Sequence, residues 1–279
     1  MRILFLGDIV GRDARKTVLS KIEYFKYKFE TDILIVNIEN AAGGRGVTPK
    51  IADQFFNSGV DVLTTGNHVW DQREIFSYIS TSKYLLRPIN MPDGSPGLGK
   101  SEIEFENGNK VLIINCIANL FMPDNESVFK SIEKLLLNVK LGEDYNAIFI
   151  DLHGEATSEK TAFANYFDGK VSVVIGTHTH VPTADERILP NGTAYQTDVG
   201  MCGNYDSVIG MDKKAAIDRF FSKKSYLTVA EGEITICGVL IEVDDSTGKS
   251  NNIKPIRMGG ILKSTEDNWF LNELNSGFF

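Results

Sequence analysis

Short apolar runs recur along this chain, and five of them stop at a side chain able to hold a metal ion or carry a proton. Residues 3–6 lead into Gly7-Asp8, 33–38 into Glu39-Asn40, and 60–64 into Gly66-Asn67-His68. Residues 147–152 lead into His153, and 171–175 into Gly176-Thr177-His178-Thr179-His180. Predominantly apolar runs of this length read as strands buried on both faces, which is the habit of sheets covered by helices. Polar residues gathered after such strands stand where open α/β sheets place their sites. One pattern thus predicts an α/β fold and a site built at its strand ends.

The segments between the runs agree. The spacing of Ala14, Val18, Ile22, Phe25 and Phe29 predicts a helix over 12–30 with one buried stripe. Pro49 opens a helix that Gly59 closes. An amphipathic helix is expected near 127–139, and another from Thr157-Ser158, which can cap it, to about Phe167. The last quarter changes character: 226–230, 233–243 and 253–257 alternate like antiparallel strands, with Asp245-Ser246-Thr247-Gly248 as a turn. Without repeats or linker-like stretches, residues 1–279 read as one α/β domain with mixed sheets. Trp269 and Phe278-Phe279 in the tail suggest a docked C-terminus or a homo-oligomer contact.

Composition narrows the function classes. A net charge of −8 argues against an electrostatic grip on extended nucleic acid. A small anionic substrate remains compatible, because bound metal supplies positive charge locally. Cys116, Cys202 and Cys237 are odd in number and widely spaced, the pattern of reduced thiols, not of a disulfide framework. The N-terminus turns acidic at Asp8, too soon for a signal-peptide core, and no run approaches the ~18 apolar residues of a membrane span. A cytoplasmic enzyme without membrane contact is expected.

The chain has four histidines, His68, His153, His178 and His180, and each follows a predicted strand. A lone histidine is usually a surface or satisfied core residue. All four at strand ends, beside Asp8, Glu39, Asn40 and Asn67, make a metal-ligating set. In an extended His178-Thr179-His180 segment both imidazoles face one way, so one loop serves two adjacent ions. Imidazole, carboxylate and amide without thiolate suit Fe, Mn or Zn better than a structural zinc site. Gly43-Gly44-Arg45-Gly46 either carries Arg45 to a phosphate or is a flexible turn. Asp198, Asp206 and Ser207 either line the pocket, support ligands or cap their own loops.

These blocks resemble the calcineurin-like metallophosphoesterases. Closer still, residues 37–44, 155–160, Thr197-Asp198-Val199-Gly200-Met201 and 203–210 are similar to the YmdB-type bacterial branch, and the likeness runs from residue 1 to about residue 258. The resemblance implies two packed mixed β-sheets flanked by helices and a dinuclear site hydrolysing small cyclic phosphodiesters, 2′,3′-cyclic nucleotides above all. It further implies one ion on Asp8, Glu39, Asn40 and His180, and a second on Glu39, Asn67, His153 and His178, with Glu39 bridging. His68 would be the proton donor. Two positions depart from the wider superfamily. Its first block reads Asp-x-His where this chain has Asp8-Ile9-Val10, and Glu39 replaces the bridging aspartate. Asn40 fills the vacated place, as in the YmdB-type branch, so ion preference does not carry over with the fold.

The chemistry suits the residues. Two divalent ions ~3.5–4 Å apart hold a hydroxide between them and clamp phosphoryl oxygens. With Asp8, Glu39 and that hydroxide counted, about one net positive charge remains, matching a singly charged diester. The competing readings are a metal-dependent nuclease or phosphatase, and a regulatory metal-binding protein acting through partners. An intact His68 favours an enzyme.

Overall fold

The computed structural model describes residues 1–266. Five strands form a first sheet: β1 (Arg2–Leu6), β2 (Ile33–Asn37), β3 (Val62–Thr64), β10 (Ile236–Val243) and β11 (Ser250–Met258), in the order β11-β10-β1-β2-β3. Six form a second: β4 (Lys100–Glu104), β5 (Lys110–Ile117), β6 (Ala147–His153), β7 (Val173–Thr177), β8 (Arg187–Ile188) and β9 (Ala194–Gln196), in the order β4-β5-β6-β7-β9-β8. Both are mixed: β1-β2-β3 and β5-β6-β7-β9 pair parallel, while β10, β11, β4 and β8 pair antiparallel.

The runs are apolar on both faces because alternate residues enter different cores. Ile3 and Phe5 of β1 meet Phe149 of β6 and Ile175 of β7 between the sheets. Leu4 and Leu6 face the other way, into a cluster with α1 (Gly11–Leu19), α2 (Ile22–Phe29) and α3 (Pro49–Asn57). On the outer face of the second sheet, Ile148 and Ile150 pack with α5 (Val128–Leu136) and α6 (Thr157–Tyr166). The helix–sheet–sheet–helix layering expected from the family resemblance is what the chain adopts. No helix among the described residues is long and apolar enough to cross a membrane.

Several local expectations need correction. The helix predicted over 12–30 is two, broken at Ser20-Lys21, where the Ser20 hydroxyl bonds back to Thr17 O at 2.8 Å. The apolar stripe survives the break: Ala14, Val18, Ile22, Phe25 and Phe29 share one cluster. Neither Thr157 nor Ser158 caps α6, whose N-cap is Ala156 without a side-chain bond. Residues 226–230 form no strand, only a single bridge from Val229 to Met211. Two short helices, α4 (Ile75–Ile79) and α7 (Lys213–Phe220), had no periodic signature strong enough to announce them. Trp269, Phe278 and Phe279, read above as a docking or oligomer element, lie outside the described residues.

Candidate metal centre

Parallel strands deliver the polar residues to one end of both sheets. Asp8 follows β1, Glu39 and Asn40 follow β2, and Asn67 and His68 follow β3; His153 ends β6, and His178 and His180 follow β7. The packing of the sheets brings these points together. Glycine makes room: a Cβ on Gly66 would fall onto Glu39 Oε2 and the His153 ring.

Hydrogen bonds at the rim fix which atoms face inward. His153 Nδ1 lies 2.9 Å from Thr177 Oγ1, whose own proton goes to Asp151 Oδ1 at 2.7 Å. The imidazole must therefore donate from Nδ1, leaving a lone pair on Nε2. That lone pair faces Glu39 Oε2 at 2.6 Å, Asn67 Oδ1 at 3.1 Å and His178 Nδ1 at 3.1 Å. His178 Nε2 lies 3.3 Å from Glu155 Oε2, which leaves Nδ1 as its inward lone pair. On the other side His180 Nδ1 donates to Ile209 O at 2.8 Å. Asn40 Nδ2 donates to Gly44 O at 3.1 Å, so its Oδ1 is the atom 3.2 Å from His180 Nε2. Lone pairs thus meet lone pairs in two groups, with Glu39 beside the first and Asp8 close by: one ligand atom each from Asp8, Glu39 and His153 lies within 4.8 Å of the others.

Such an arrangement repels itself unless a cation sits among the lone pairs. Asp8 Oδ1 and Glu39 Oε2 are buried without a hydrogen-bond partner, which is costly for carboxylates. Burial pushes the Asp8 carboxyl up, and pushes that of Glu39 up to about 7. Burial also lowers His153 and His178 to about 3, so both rings stay neutral and able to ligate. The donors fit divalent metal held by nitrogen and oxygen. The three cysteines are all buried and free.

His178 and His180 meet neighbours in different groups, but not through an extended segment as expected. β7 stops at Thr177, and φ is 101° at His178 and 65° at His180, so a tight left-handed turn aims the rings. Such angles strain any residue with a Cβ and require support. Asp198 provides it, accepting from Thr179 N at 3.0 Å and from Lys160 Nζ at 3.0 Å, while Tyr205 Oη donates to His180 O at 3.0 Å.

Of the loop residues, Asp198 is wholly inaccessible, and its carboxylate accepts from Lys160 and from the backbone of the histidine turn, the supporting role among its readings. Ser207 caps its own loop, donating to Asn204 O and accepting from Gly210 N at 2.8 Å. Asp206 pairs with Lys213 at 2.7 Å. Arg45 is exposed, and its side chain has no ion pair among the described residues. His68 is partly exposed at the edge of the cluster, its amide N–H donating to Glu39 Oε1 at 2.8 Å and its Nδ1 2.9 Å from Asp71 Oδ2.

Sequence reading passed over the layer beneath. Asp151 is buried inside β6, accepting from Thr177, from Thr64 Oγ1 at 2.6 Å and from Asn37 Nδ2 at 3.0 Å. Burial pushes it up to about 7 against those bonds. A charge inside an otherwise apolar run was the available signal. Lys160, fully buried in a helix, is another residue whose role only the fold reveals.

Comparison with known proteins identifies the family. A family model described as YmdB-like protein matches residues 4–256. The chain is 46% identical over 257 residues to a Bacillus subtilis (strain 168) protein named 2′,3′-cyclic-nucleotide 2′-phosphodiesterase, covering 92% of this chain and 96% of that one. The crystal structure of a novel phosphatase from Mycoplasma pneumoniae superimposes with a TM-score of 0.87 at 35% identity, covering 93% of each chain. A hypothetical protein from Thermus thermophilus does so with a TM-score of 0.86 at 34% identity, over 93% of this chain and 100% of that one. With the family model spanning nearly every strand and all the site residues, the chain belongs to the YmdB-like family.

Proposed function

We propose that this protein is a metal-dependent phosphodiesterase acting on small cyclic phosphodiesters, 2′,3′-cyclic nucleotides foremost. The observation that carries the metal reading is the hydrogen-bond polarity of His153 and His180. Each donates outward from Nδ1, leaving Nε2 against an amide oxygen, Asn67 Oδ1 for His153 and Asn40 Oδ1 for His180, that has no proton to offer. Asp8, Glu39, Asn40 and His180 would hold one ion, and Glu39, Asn67, His153 and His178 the other. Iron or manganese suits this donor set, and zinc is compatible with it. When bound, the pair supplies Lewis-acid charge for the phosphoryl oxygens and acidifies a water.

The remaining steps belong to side chains. Asp71 accepts from His68 Nδ1 and so reserves Nε2 for proton transfer to the leaving alkoxide. The hydrogen bond from His68 N–H to Glu39 Oε1 ties that general acid to a carboxylate that would hold the metal. Asn40 and Asn67 would ligate without adding negative charge, which would keep the site attractive to an anionic diester. The net charge of −8 disfavours long nucleic acid as substrate.

The experiment is a turnover panel of 2′,3′-cyclic nucleotides, linear diesters, monoesters and folded RNA, using protein stripped and reloaded with a single metal. The proposal expects the cyclic diesters to have the highest kcat/KM. Comparable values for folded RNA with a steep salt dependence would instead indicate a nuclease, and a preference for monoesters a phosphatase.

A further inference from the structure

We infer that Asp151 is a positioning residue that sets, through the Thr177 hydroxyl, which nitrogen of His153 faces the metal site. The inference rests on reading the cluster as a metal centre. Asp151, Thr177 and His153 form a buried chain running from the interface of the two sheets to Glu39, and each of the three side chains is 1% exposed or less. Its direction is over-determined at the carboxylate end. Asp151 Oδ2 takes hydrogen bonds from Thr64 Oγ1 and Asn37 Nδ2, and Oδ1 takes the Thr177 proton. Asn37 cannot turn over, because its Oδ1 accepts from Glu39 N at 3.0 Å. All bonds therefore point toward Asp151, and the imidazole is left as the Nδ1–H form with its Nε2 lone pair 2.6 Å from Glu39 Oε2. A ligating histidine whose far nitrogen is held by a hydrogen-bonded carboxylate is fixed in tautomer and orientation. Here one hydroxyl is inserted between the two, and the carboxylate joins β2 and β3 of one sheet to β6 and β7 of the other.

This polarity predicts what an isosteric substitution does. In Asp151→Asn the amide NH2 cannot face Asn37 Nδ2, where donor would meet donor, so it faces Thr177. The hydroxyl then accepts from the amide, and the partner left for its own proton is His153 Nδ1, 2.9 Å away. The ring responds by carrying its proton on Nε2, toward Glu39, and ceases to be a ligand. Thr177→Val reaches the same end differently: Nδ1–H loses its acceptor, and Glu39 becomes the better partner for a proton on Nε2. Thr177→Ser keeps the hydroxyl and the chain.

The test reads tautomers by long-range ¹H–¹⁵N spectra of uniformly labelled, metal-free protein at about pH 8, a readout independent of turnover. The chain's four histidines make assignment practical, and His153→Ala identifies the relevant signal. Wild type and Thr177→Ser should show His153 as Nδ1–H; Asp151→Asn and Thr177→Val should show Nε2–H and bind the ion ~10–100-fold more weakly. If Asp151→Asn does not fold, the Thr177 pair decides alone. An unchanged tautomer in the folded variants overturns the inference, even if affinity falls, since the loss would then be structural. A wild-type protein that takes up no transition metal would sink the metal reading instead, while the tautomer comparison would still report on the chain itself.

Discussion

Lys160 Nζ lies 3.0 Å from Asp198 Oδ2, and neither side chain is exposed at all. Lys160 also donates to Thr177 O at 2.7 Å, while Asp198 accepts from Thr179 N and Gly200 N. A cation inside α6 is thus bolted to the backbone that carries His178 and His180. Removing one member of a buried pair leaves the other charge uncompensated. Lys160→Met should cost about 3–5 kcal/mol in denaturant unfolding and should lower metal content as the turn relaxes. A loss below about 1 kcal/mol, the value of a surface pair, would show that the pair is not what holds the turn.

Metal uptake should release protons in a pH window set by Glu39. Its carboxyl, raised to about 7 by burial, keeps its proton near pH 6 in metal-free protein, and ligation requires the ionised form. Burial raises Asp8 as well, so it adds to the release. Uptake near pH 6 should free about one proton or more, with the release fading as pH rises through 7 toward 9. His153 and His178, lowered to about 3, are neutral across this range and contribute none. Calorimetry in two buffers of different ionisation enthalpy counts the protons. A count that does not decline with pH would contradict the assignment to Glu39.

His68→Ala should keep nearly full metal content while slowing turnover of alkoxide-leaving diesters by ~10²-fold or more. A nitrophenolate leaving group needs little protonation and should lose much less. Asp71→Asn should shift rates the same way to a smaller degree, because the imidazole loses the carboxylate 2.9 Å from Nδ1. Equal losses with both leaving groups would mean that His68 positions the substrate and does not donate.

Gly66→Ala probes the closeness of the cluster. Its added Cβ would land on Glu39 Oε2 and the His153 ring. Gly66 is not among the positive-φ glycines, so alanine is tolerated by the backbone and only the space is lost. Metal affinity should fall ~10-fold or more, read by competition with a chromogenic chelator, while circular dichroism stays that of the folded protein. Wild-type affinity would show that Glu39 and His153 ligate from other rotamers.

Much was legible in the order of residues. Apolar runs leading to Asp8, Glu39, Asn67, His153 and His178 announce strands and the ends where a site forms, because strand burial and strand termination are both local properties of the chain. The stripe from Ala14 to Phe29 was equally plain, since a helix face repeats within a few residues. Other features depend on contacts between residues far apart in sequence. That Asn37 and Thr64 of one sheet meet Asp151 and Thr177 of the other is decided by how the sheets stack, and no local spacing encodes it. The same holds for Asp198, whose bonds to Lys160 and Thr179 no local spacing predicts, and for His178 and His180. Alternation would have extended their backbone; the bonds from Asp198 and Tyr205 instead hold it in a turn. Sequence alone determined which side chains could do the chemistry. Only the tertiary structure decided which of their atoms face one another, because tautomer, rotamer and burial are set by neighbours that the folded sheets supply.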